Sequence, residues 1–329
     1  MAYDGRILAR ASEILKQRAQ ANEAAQTQRA EKLAKLEPRI AQINAALRRT
    51  VIGVIHKALS SGEDMTGSLE KAKKENQALR KERADILLSL GYPTDYLDRT
   101  PLCPLCGDSG YTEQGMCTCL GAIYREEMAN SLYEACGISK LLPEEIDLSI
   151  YSAERRVGER TSVRETMQYN LHVIKTFVEA GESRQSLCLW GPSGTGKSWF
   201  AAAAGYALCE RGEYVAYVCA GTLFSCYEDD RFRRLEEARN EIRRWENCDV
   251  LILDDLGTES ASSQNASVLY QLLNSRLSAH RATVLCTNLS LEEIARRYGA
   301  PTASRIGGQF RSLLFRGEDL RGKRAVNFS

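Results

Sequence analysis

Eight consecutive residues, 191–198, have the composition of a phosphate-binding loop. Their sequence, Gly-Pro-Ser-Gly-Thr-Gly-Lys-Ser, fits the pattern G-x-x-x-x-G-K-[ST] at every fixed position. The glycines let the backbone curl so that its N–H groups point at phosphate oxygens, and the helix expected after the loop adds partial positive charge. We expect Lys197 to reach the β- and γ-phosphates of a nucleotide and Ser198 to offer its hydroxyl to Mg²⁺. The predicted phosphate site comprises Gly191, Pro192, Ser193, Gly194, Thr195, Gly196, Lys197 and Ser198.

Two adjacent acids follow an apolar run about sixty residues further on. Val250–Leu253 is typical of a buried strand, and Asp254 and Asp255 come directly after it. Such a strand delivers carboxylates to the carboxyl edge of a parallel sheet, where open α/β folds bind ligands. We expect Asp254 to hold Mg²⁺ through water and Asp255 to orient or deprotonate an attacking water. An ordinary strand-terminal turn is the competing interpretation.

Two more polar residues are candidates for the same chemistry. Asn288 follows the apolar run Thr283–Thr287 and could lie beside the γ-phosphate, where it would help to place water. It could equally cap the helix expected near Leu291, although Ser290 competes for that cap. Arg305 is our candidate for an arginine that reaches into a neighbouring subunit's site and stabilises charge on the transferring phosphoryl group.

Four cysteines form the pattern C-x2-C and C-x-C, separated by ten residues: Cys103, Cys106, Cys117 and Cys119. Two tight pairs across a short glycine-containing loop can converge on one tetrahedral ion, so we expect structural Zn²⁺ with all four places filled by sulfur. A redox dithiol and an iron–sulfur cluster are the alternatives. We assign no chemistry to the other seven cysteines or to the three scattered histidines.

Composition limits the class of protein. The 329 residues include 44 Lys and Arg against 43 Asp and Glu, a net charge of +1, which argues against a wholly cationic nucleic-acid binder but leaves room for local patches. Eleven cysteines cannot all pair in internal disulfides. The sequence lacks a signal-peptide core and an apolar run of membrane-spanning length, so we expect a cytoplasmic protein with no membrane contact.

The elements that must position these residues follow from hydrophobic patterning. Apolar strands alternate with helical patterns after residue 185, which predicts an α/β fold with a parallel sheet covered by helices. The strands are expected at Ser186–Trp190, Tyr214–Cys219, Val250–Leu253 and Thr283–Thr287. The basic stretch Arg305–Arg324 could track a nucleic-acid backbone or be a solvated tail.

The first ninety residues are rich in strong helix formers and predict an all-α domain. Pro38 is expected to open a second helix, residues 60–64 read as a loop, and a further helix is expected over Thr66–Leu90. A short helical hairpin or small bundle fits this pattern, and it could dock a partner protein or be a solvated spacer. The expected apolar positions are Leu33, Leu36, Ile40, Ile43, Leu47, Leu79, Ile86 and Leu90.

Taken together, four motifs resemble the bacterial and phage replicative helicase loaders of the DnaC/DnaI type, which are AAA+ P-loop ATPases. They are GPSGTGKS (191–198), LILDDLGTE (251–259), CTNLS (286–290) and SRIGG (304–308). The stretch CPLCGDSGYTEQGMCTC (103–119), preceded by GYPTDYL (91–97), resembles the zinc-binding segment of the DnaI-like branch.

The resemblance implies an ATP-dependent loader of a DnaB-type hexameric helicase. Residues 1–95 would dock the helicase, 96–135 would bind Zn²⁺, 136–160 would link, and 161–329 would be the AAA+ ATPase domain. It further implies self-assembly into an oligomer on the helicase and contact with single-stranded DNA. Many AAA+ proteins carry Glu at the position of Asp255, and the shorter acid implies slow, regulatory hydrolysis.

The resemblance also implies an extra helical element for DNA at residues 222–245, where aromatic and arginine side chains intermingle. An amphipathic helix with Arg–Glu pairs explains the same residues. The alternative function for the whole chain is a transposition-helper ATPase of the IstB type, which is not expected to carry the cysteine segment. A zinc-dependent interaction module with a degenerate ATPase is disfavoured, since Lys197, Ser198, Asp254 and Asp255 are all present.

Overall fold

The computed structural model describes residues 3–60, 66–98, 100–155 and 157–321, and it leaves out the side chains of 51–71 and 182. Most of the predicted loop at 60–64 and the basic residues Lys323 and Arg324 therefore lie outside the described residues. The chain divides into two compact units, one formed by Met1–Ala11 with Gly121–Ser329 and the other by Ser12–Leu120. The domain boundaries given above stay a prediction.

The larger unit contains a parallel five-stranded sheet. Its strands are β3 (Leu187–Trp190), β4 (Val215–Cys219), β5 (Val250–Leu256), β6 (Ala282–Thr287) and β7 (Arg311–Leu314), in the spatial order β4-β5-β6-β3-β7. Its central strands are almost wholly buried, as near-continuous apolar runs in a sheet covered on both faces should be. The predicted parallel α/β sheet is confirmed.

Helices alternate with these strands, since each parallel pairing requires a crossover. They are α5 (Val163–Glu179), α6 (Lys197–Glu210), α7 (Ala220–Arg233), α8 (Glu236–Asn247), α9 (Ser263–Ser278), α10 (Leu291–Tyr298) and α11 (Ala300–Gln309). Helix α6 is buried nearly all round because it packs between the sheet and other helices. It follows the phosphate-binding loop directly, as the sequence predicted.

Strand β5 is longer than predicted. It runs through both acids to Leu256, whereas the sequence pattern ended it at Leu253. Pairing with β6 is irregular between Leu253 and Leu256, so the strand carries a bulge at the acidic pair. The bulge changes the direction of Asp254 and Asp255 relative to a regular strand.

The C-terminal stretch contains a strand that the sequence analysis missed. Strand β7 pairs with β3, and Leu313, Phe315 and Leu320 are buried. Arg316 donates to Thr161 and pairs with Glu159 at 2.8 Å, so it is held within the unit. The interpretation of this stretch as a solvated tail is therefore wrong up to residue 321, because Leu313, Phe315 and Leu320 are part of the core.

The smaller unit is helical, and it contains most of α1 (Gly5–Leu36), α2 (Pro38–Ser60) and α3 (Thr66–Ser89). Pro38 is the first residue of α2, as predicted. Arg39 near the start of α2 pairs with Glu82 near the end of α3 at 2.6 Å, so the two helices are antiparallel. Among the described residues, no helix is long and apolar enough to cross a membrane.

The apolar stripe of the helices differs in part from the prediction. Leu33, Ile40 and Leu87 form a buried cluster, against which Tyr92 and Tyr96 pack. Leu36 and Leu90, expected in the stripe, are instead 70% and 40% exposed. The reason is local: α1 ends at Leu36 and α3 ends at Ser89, so both leucines sit where the helical register is lost.

The first turns of α1 belong to the larger unit. Asp4 caps the helix by accepting the N–H of Arg6 at 2.9 Å, and its other carboxylate oxygen lies 2.8 Å from Nε of Arg244 on α8. The backbone N–H of Asp4 donates to the hydroxyl of Tyr124, on helix α4 (Thr118–Cys136). Asp4 is buried and Arg244 is half-buried, so the first turns of α1 are packed into the larger unit.

Candidate functional site

The loop between β3 and α6 has the conformation expected of a phosphate cradle. Gly191 has a φ of 136°, and a Cβ there would lie 1.9 Å from the carbonyl oxygen of Phe315, so a larger residue is excluded. Gly196 caps α6 with a φ of 99°, in the left-handed region that favours glycine. The N-terminus of α6, which directly follows this loop, opens onto a cavity of about 350 Å³.

The ammonium group of Lys197 lies at the centre of the loop. Its Nζ donates to the carbonyl oxygens of Gly191 and Pro192 and to Oδ1 of Asn288, each at 2.7 Å. Burial lowers the pKa of Lys197, and the negative charges of neighbouring acids raise it by a smaller amount. Asn288 thus faces the loop, and Ser290 caps α10 instead, so the helix-cap interpretation of Asn288 is wrong.

The carboxylate of Asp254 is fixed by two hydroxyl groups. Ser198 Oγ donates to its Oδ1 at 3.1 Å, and the Tyr217 hydroxyl donates to its Oδ2. Burial and the nearby Asp254 charge raise the pKa of Tyr217, so its hydroxyl stays protonated and remains a donor. One hydroxyl and one carboxylate side by side are oxygen ligands of the kind that Mg²⁺ prefers.

Asp255 faces the same cavity from a strained backbone. Its φ is 54°, a left-handed conformation that is uncommon outside glycine. Burial, followed by the charge of Asp254, raises the pKa of Asp255, while Lys197 and Arg321 oppose that rise. A carboxylate with a raised pKa is a better proton acceptor than an ordinary surface aspartate.

The structure adds three residues that the sequence analysis did not single out. The Tyr151 hydroxyl donates to the carbonyl oxygen of Thr195 at 3.0 Å, the backbone N–H of Leu320 donates to Gly194 at 2.9 Å, and Arg321 lines the cavity. All three come from stretches interpreted as a linker or a basic tail. Their local sequence carries no phosphate-site signal, since only the folded chain brings them to the loop.

Arg305 lies outside this cavity. It is half-buried on α11 and is not among the described residues that line the site, whereas the other predicted residues are brought together there or in the loop beside it. An arginine that acts on a neighbouring subunit need not contact its own site. The action of Arg305 on a neighbouring subunit stays a prediction.

The expected DNA element, residues 222–245, forms α7 and α8. Phe224 and Trp245 are buried in the core, so they are not available to stack on bases as expected, and Arg244 is paired with Asp4. Phe232 is 71% exposed, and Arg231 lies over its ring at 5.5 Å. The exposed aromatic side chain of this element, Phe232, therefore lies with Arg231 near the junction of the two helices.

The four cysteines meet in the smaller unit. Their sulfur atoms all lie within 4.8 Å of one another, with 3.7 Å between Cys103 and Cys117 and 3.5 Å between Cys106 and Cys119. Sulfur atoms bound to one tetrahedral Zn²⁺ at about 2.3 Å are about 3.8 Å apart, so the donor set and its spacing fit zinc. A short hairpin of β1 (Tyr111–Thr112) and β2 (Gly115–Met116) joins the two pairs.

Burial and the neighbouring thiols raise the pKa of Cys119, so the hydrogen bonds of the cluster favour a single thiolate, at Cys106. Burial alone would raise the pKa of Cys106, but the Gly110 N–H, 3.4 Å from its sulfur, and the neighbouring thiols lower that pKa to about 7. The backbone N–H groups of Leu102 and Cys103 both donate to Asp108, which shapes the first turn. A thiolate is the form of cysteine that binds metal.

The central part of the chain matches a known family. Residues 166–305 match the model of the IstB-like ATP binding proteins, a range that includes the loop, both acids and Asn288. These residues form an IstB/DnaC-like AAA+ ATPase domain. The predicted AAA+ domain with an ATP site is therefore confirmed.

Two kinds of curated protein are similar over this region. A putative insertion sequence ATP-binding protein of Sinorhizobium fredii is 30% identical over 37% of this chain and 48% of its own length. The replicative helicase loader DnaC of Escherichia coli is 28% identical over 35% of this chain and 47% of its own length. The chain thus spans about half the length of these relatives.

Among solved structures, the DnaC helicase loader superposes with a TM-score of 0.44 and 22% identity, covering 52% of this chain and 96% of that one. The DnaI structure superposes with a TM-score of 0.41 and 21% identity, covering 53% and 92%.

Proposed function

We propose that the protein is an ATP-dependent loader that binds a DnaB-type hexameric helicase and helps to place it on single-stranded DNA. The observation that carries the proposal is the four-cysteine cluster beside a helical segment, joined to an IstB/DnaC-like ATPase domain. The ATPase domain alone is shared with transposition helpers, whereas the cysteine segment resembles that of the DnaI-like loaders, which the first eighty residues match only in being helical. The helices of residues 1–95 are the proposed helicase contact.

In this proposal the site binds and slowly hydrolyses ATP. Lys197 leaves its carbonyl partners in the loop and contacts the β- and γ-phosphates, while Asn288 helps to place the attacking water. Ser198 and Asp254 would hold Mg²⁺, which supplies positive charge to the phosphate oxygens when bound. Asp255 accepts a proton from the water.

Two arginines complete the proposed site. Arg321 would contact phosphate oxygens from its own subunit, since it already lines the cavity. Arg305 would act on the site of a neighbouring subunit when the protein assembles into an oligomer on the helicase. Hydrolysis would then depend on assembly.

The cysteine cluster is proposed to hold one structural Zn²⁺ through Cys103, Cys106, Cys117 and Cys119. Two glycine-containing turns and a two-residue hairpin contribute little apolar surface, so a bound ion would stabilise this segment. The exposed side chains of Leu102, Leu105 and Tyr111 on the same segment are consistent with this small core.

A transposition-helper ATPase that acts on target DNA is the second candidate. The observation in its favour is the 30% identity to an insertion sequence ATP-binding protein, which matches that to DnaC. In this case the junction of α7 and α8, with exposed Phe232 and Arg231, would contact duplex DNA.

One experiment separates the two functions. The full chain is mixed with a DnaB-type hexameric helicase and ATP, and the complex is followed by size-exclusion chromatography and by unwinding of DNA coated with single-strand-binding protein. A loader co-elutes with the helicase and raises unwinding. A chain that remains free of helicase and leaves unwinding unchanged, but stimulates a transposase on target DNA, would overturn the loader proposal.

A further inference from the structure

A buried carboxylate lies just beyond the proposed hydrolysis site. Glu259 is four residues after Asp255, in the turn that follows β5, and its side chain is 7% exposed. It lies outside the set of described residues that line the nucleotide cavity. A buried carboxylate is costly unless it is paired, so its partners indicate what it is for.

Its two oxygens hold different parts of the fold. Oε2 accepts the backbone N–H of Gly257 at 3.0 Å, within the turn. Oε1 accepts the hydroxyl of Tyr298 and lies 3.6 Å from Nε of Arg297, both on α10. The carboxylate therefore bridges the turn after β5 and the end of α10.

The turn that it holds includes the strained residue of the site. Asp255 has a φ of 54°, and its carbonyl oxygen accepts both the N–H of Thr258 at 3.3 Å and the hydroxyl of that residue at 2.9 Å. Gly257 has a φ of 106° and packs under Leu289. Such a backbone persists where its surroundings over-determine it, and the Glu259 bridge is one of those constraints.

We propose that Glu259 is a positioning residue for ATP hydrolysis: by anchoring the turn to α10, it fixes the carboxylate of Asp255 relative to the bound nucleotide. The anchor continues into α11, because the hydroxyl of Thr302 donates to the carbonyl oxygen of Tyr298 at 3.0 Å, one turn before Arg305. Helix α11, which bears Arg305, is thus connected through Tyr298 and Glu259 to the turn that bears Asp255. This inference rests on the proposed ATPase role of the site.

Steady-state hydrolysis and ATP binding are measured on the full chain carrying Glu259→Ala, Tyr298→Phe or both. We expect Glu259→Ala to lower kcat about tenfold, since a small misplacement of a reacting group is costly, while the Kd for ATP stays within about twofold. Tyr298→Phe should lower kcat by less, and the double variant should be no slower than Glu259→Ala. Glu292→Ala, at an exposed acid in the first turn of α10, is the matched control.

The outcomes separate this inference from the proposed function. Wild-type kcat in Glu259→Ala, or a parallel loss of kcat, ATP binding and thermal stability, would overturn the positioning role alone. Tyr298→Phe keeps the carboxylate paired with Gly257 and so tests the bridge to α10 with a smaller change to the fold. ATP hydrolysis that is absent in the wild type, or that Lys197→Ala does not lower, would overturn the ATPase proposal and this inference with it.

Discussion

Lys197 and Asn288 meet across the phosphate-binding loop, with 2.7 Å between the ammonium nitrogen and the amide oxygen. One residue begins α6, and the other follows β6, the strand beside β3 in the sheet. The contact keeps the ammonium group inside the cradle before any phosphate is bound. The site is therefore largely pre-formed, and substitutions in it should affect binding or chemistry rather than folding.

Lys197→Ala should abolish ATP binding. The ammonium group is the point charge at the centre of the loop, and Arg321, which lines the same cavity, does not belong to that loop. Isothermal titration calorimetry with ATP and Mg²⁺ measures the loss. Lys175→Ala, on α5, removes an equal charge from the surface and should bind as the wild type does; equal affinity in the two variants would contradict the assignment of the loop.

Asp255→Asn should retain ATP binding and lose at least about 100-fold in kcat, because an amide cannot accept the proton of the attacking water. The pH profile gives a second check. Since burial and the charge of Asp254 raise the pKa of Asp255, kcat should fall as pH decreases through a value above that of an ordinary aspartate. The residual kcat of Asp255→Asn should no longer fall as the pH decreases. If the same fall remains in this variant, it belongs to the titration of another group.

Arg321→Ala should weaken ATP binding about tenfold, which is the size expected for the loss of a hydrogen bond to a charged group. Fluorescent-nucleotide titration measures the change. Arg311→Ala, on β7 in the same stretch, is the matched control, because that guanidinium contacts Tyr169 instead. Unchanged affinity in Arg321→Ala would mean that the arginine lines the cavity without contacting phosphate.

Cys106→Ser should remove the bound zinc. The purified wild type is expected to contain one zinc per chain by elemental analysis, and a chelator should lower its melting temperature. Cys219→Ser, at an exposed thiol outside the cluster, should keep both zinc and stability. A wild-type protein that contains iron with sulfide, or no metal, would exclude the zinc proposal.

Leu36→Asp combined with Leu88→Asp should weaken helicase binding without loss of stability. Both leucines are exposed, at 70% and 58%, on the helical unit that we propose as the docking surface. Biolayer interferometry with an immobilised DnaB-type helicase measures the effect. Leu291→Asp is the control, since it changes an exposed leucine at the start of α10, where an acid is favoured. Equal loss in the control would argue against docking by the helices.

The features that the sequence predicted well depend on residues that are close together in the chain. The phosphate-binding loop and the cysteine cluster depend on glycines, a lysine and thiols at short spacings, and the short apolar runs gave the parallel strands. The sequence analysis placed Asn288 directly after an apolar strand but left two roles open for it. Only the pairing of that strand with its neighbour in the sheet shows that Asn288 contacts Lys197 and does not cap α10.

What the sequence did not predict depends on contacts between distant residues. Tyr151 and Arg321 reach the loop only through the fold, and the strain at Asp255 follows from a bulge that strand patterning does not register. The burial of Phe224 and Trp245 likewise follows from packing of α7 and α8, which their mixed basic and aromatic composition conceals.

The ion pair of Asp4 and Arg244 has a consequence for the order of assembly during synthesis. Asp4 leaves the ribosome long before its partner on α8 is translated, so the first turns of α1 stay uncovered until α8 has been made. The end of α1 can pack earlier, because Leu33 joins Ile40 of α2 and Leu87 of α3 in one buried cluster. Any shortened chain that begins after this helix would lose the Asp4 partner of Arg244 and leave only Ser131 and Glu241, and would weaken the larger unit as well as remove the helices.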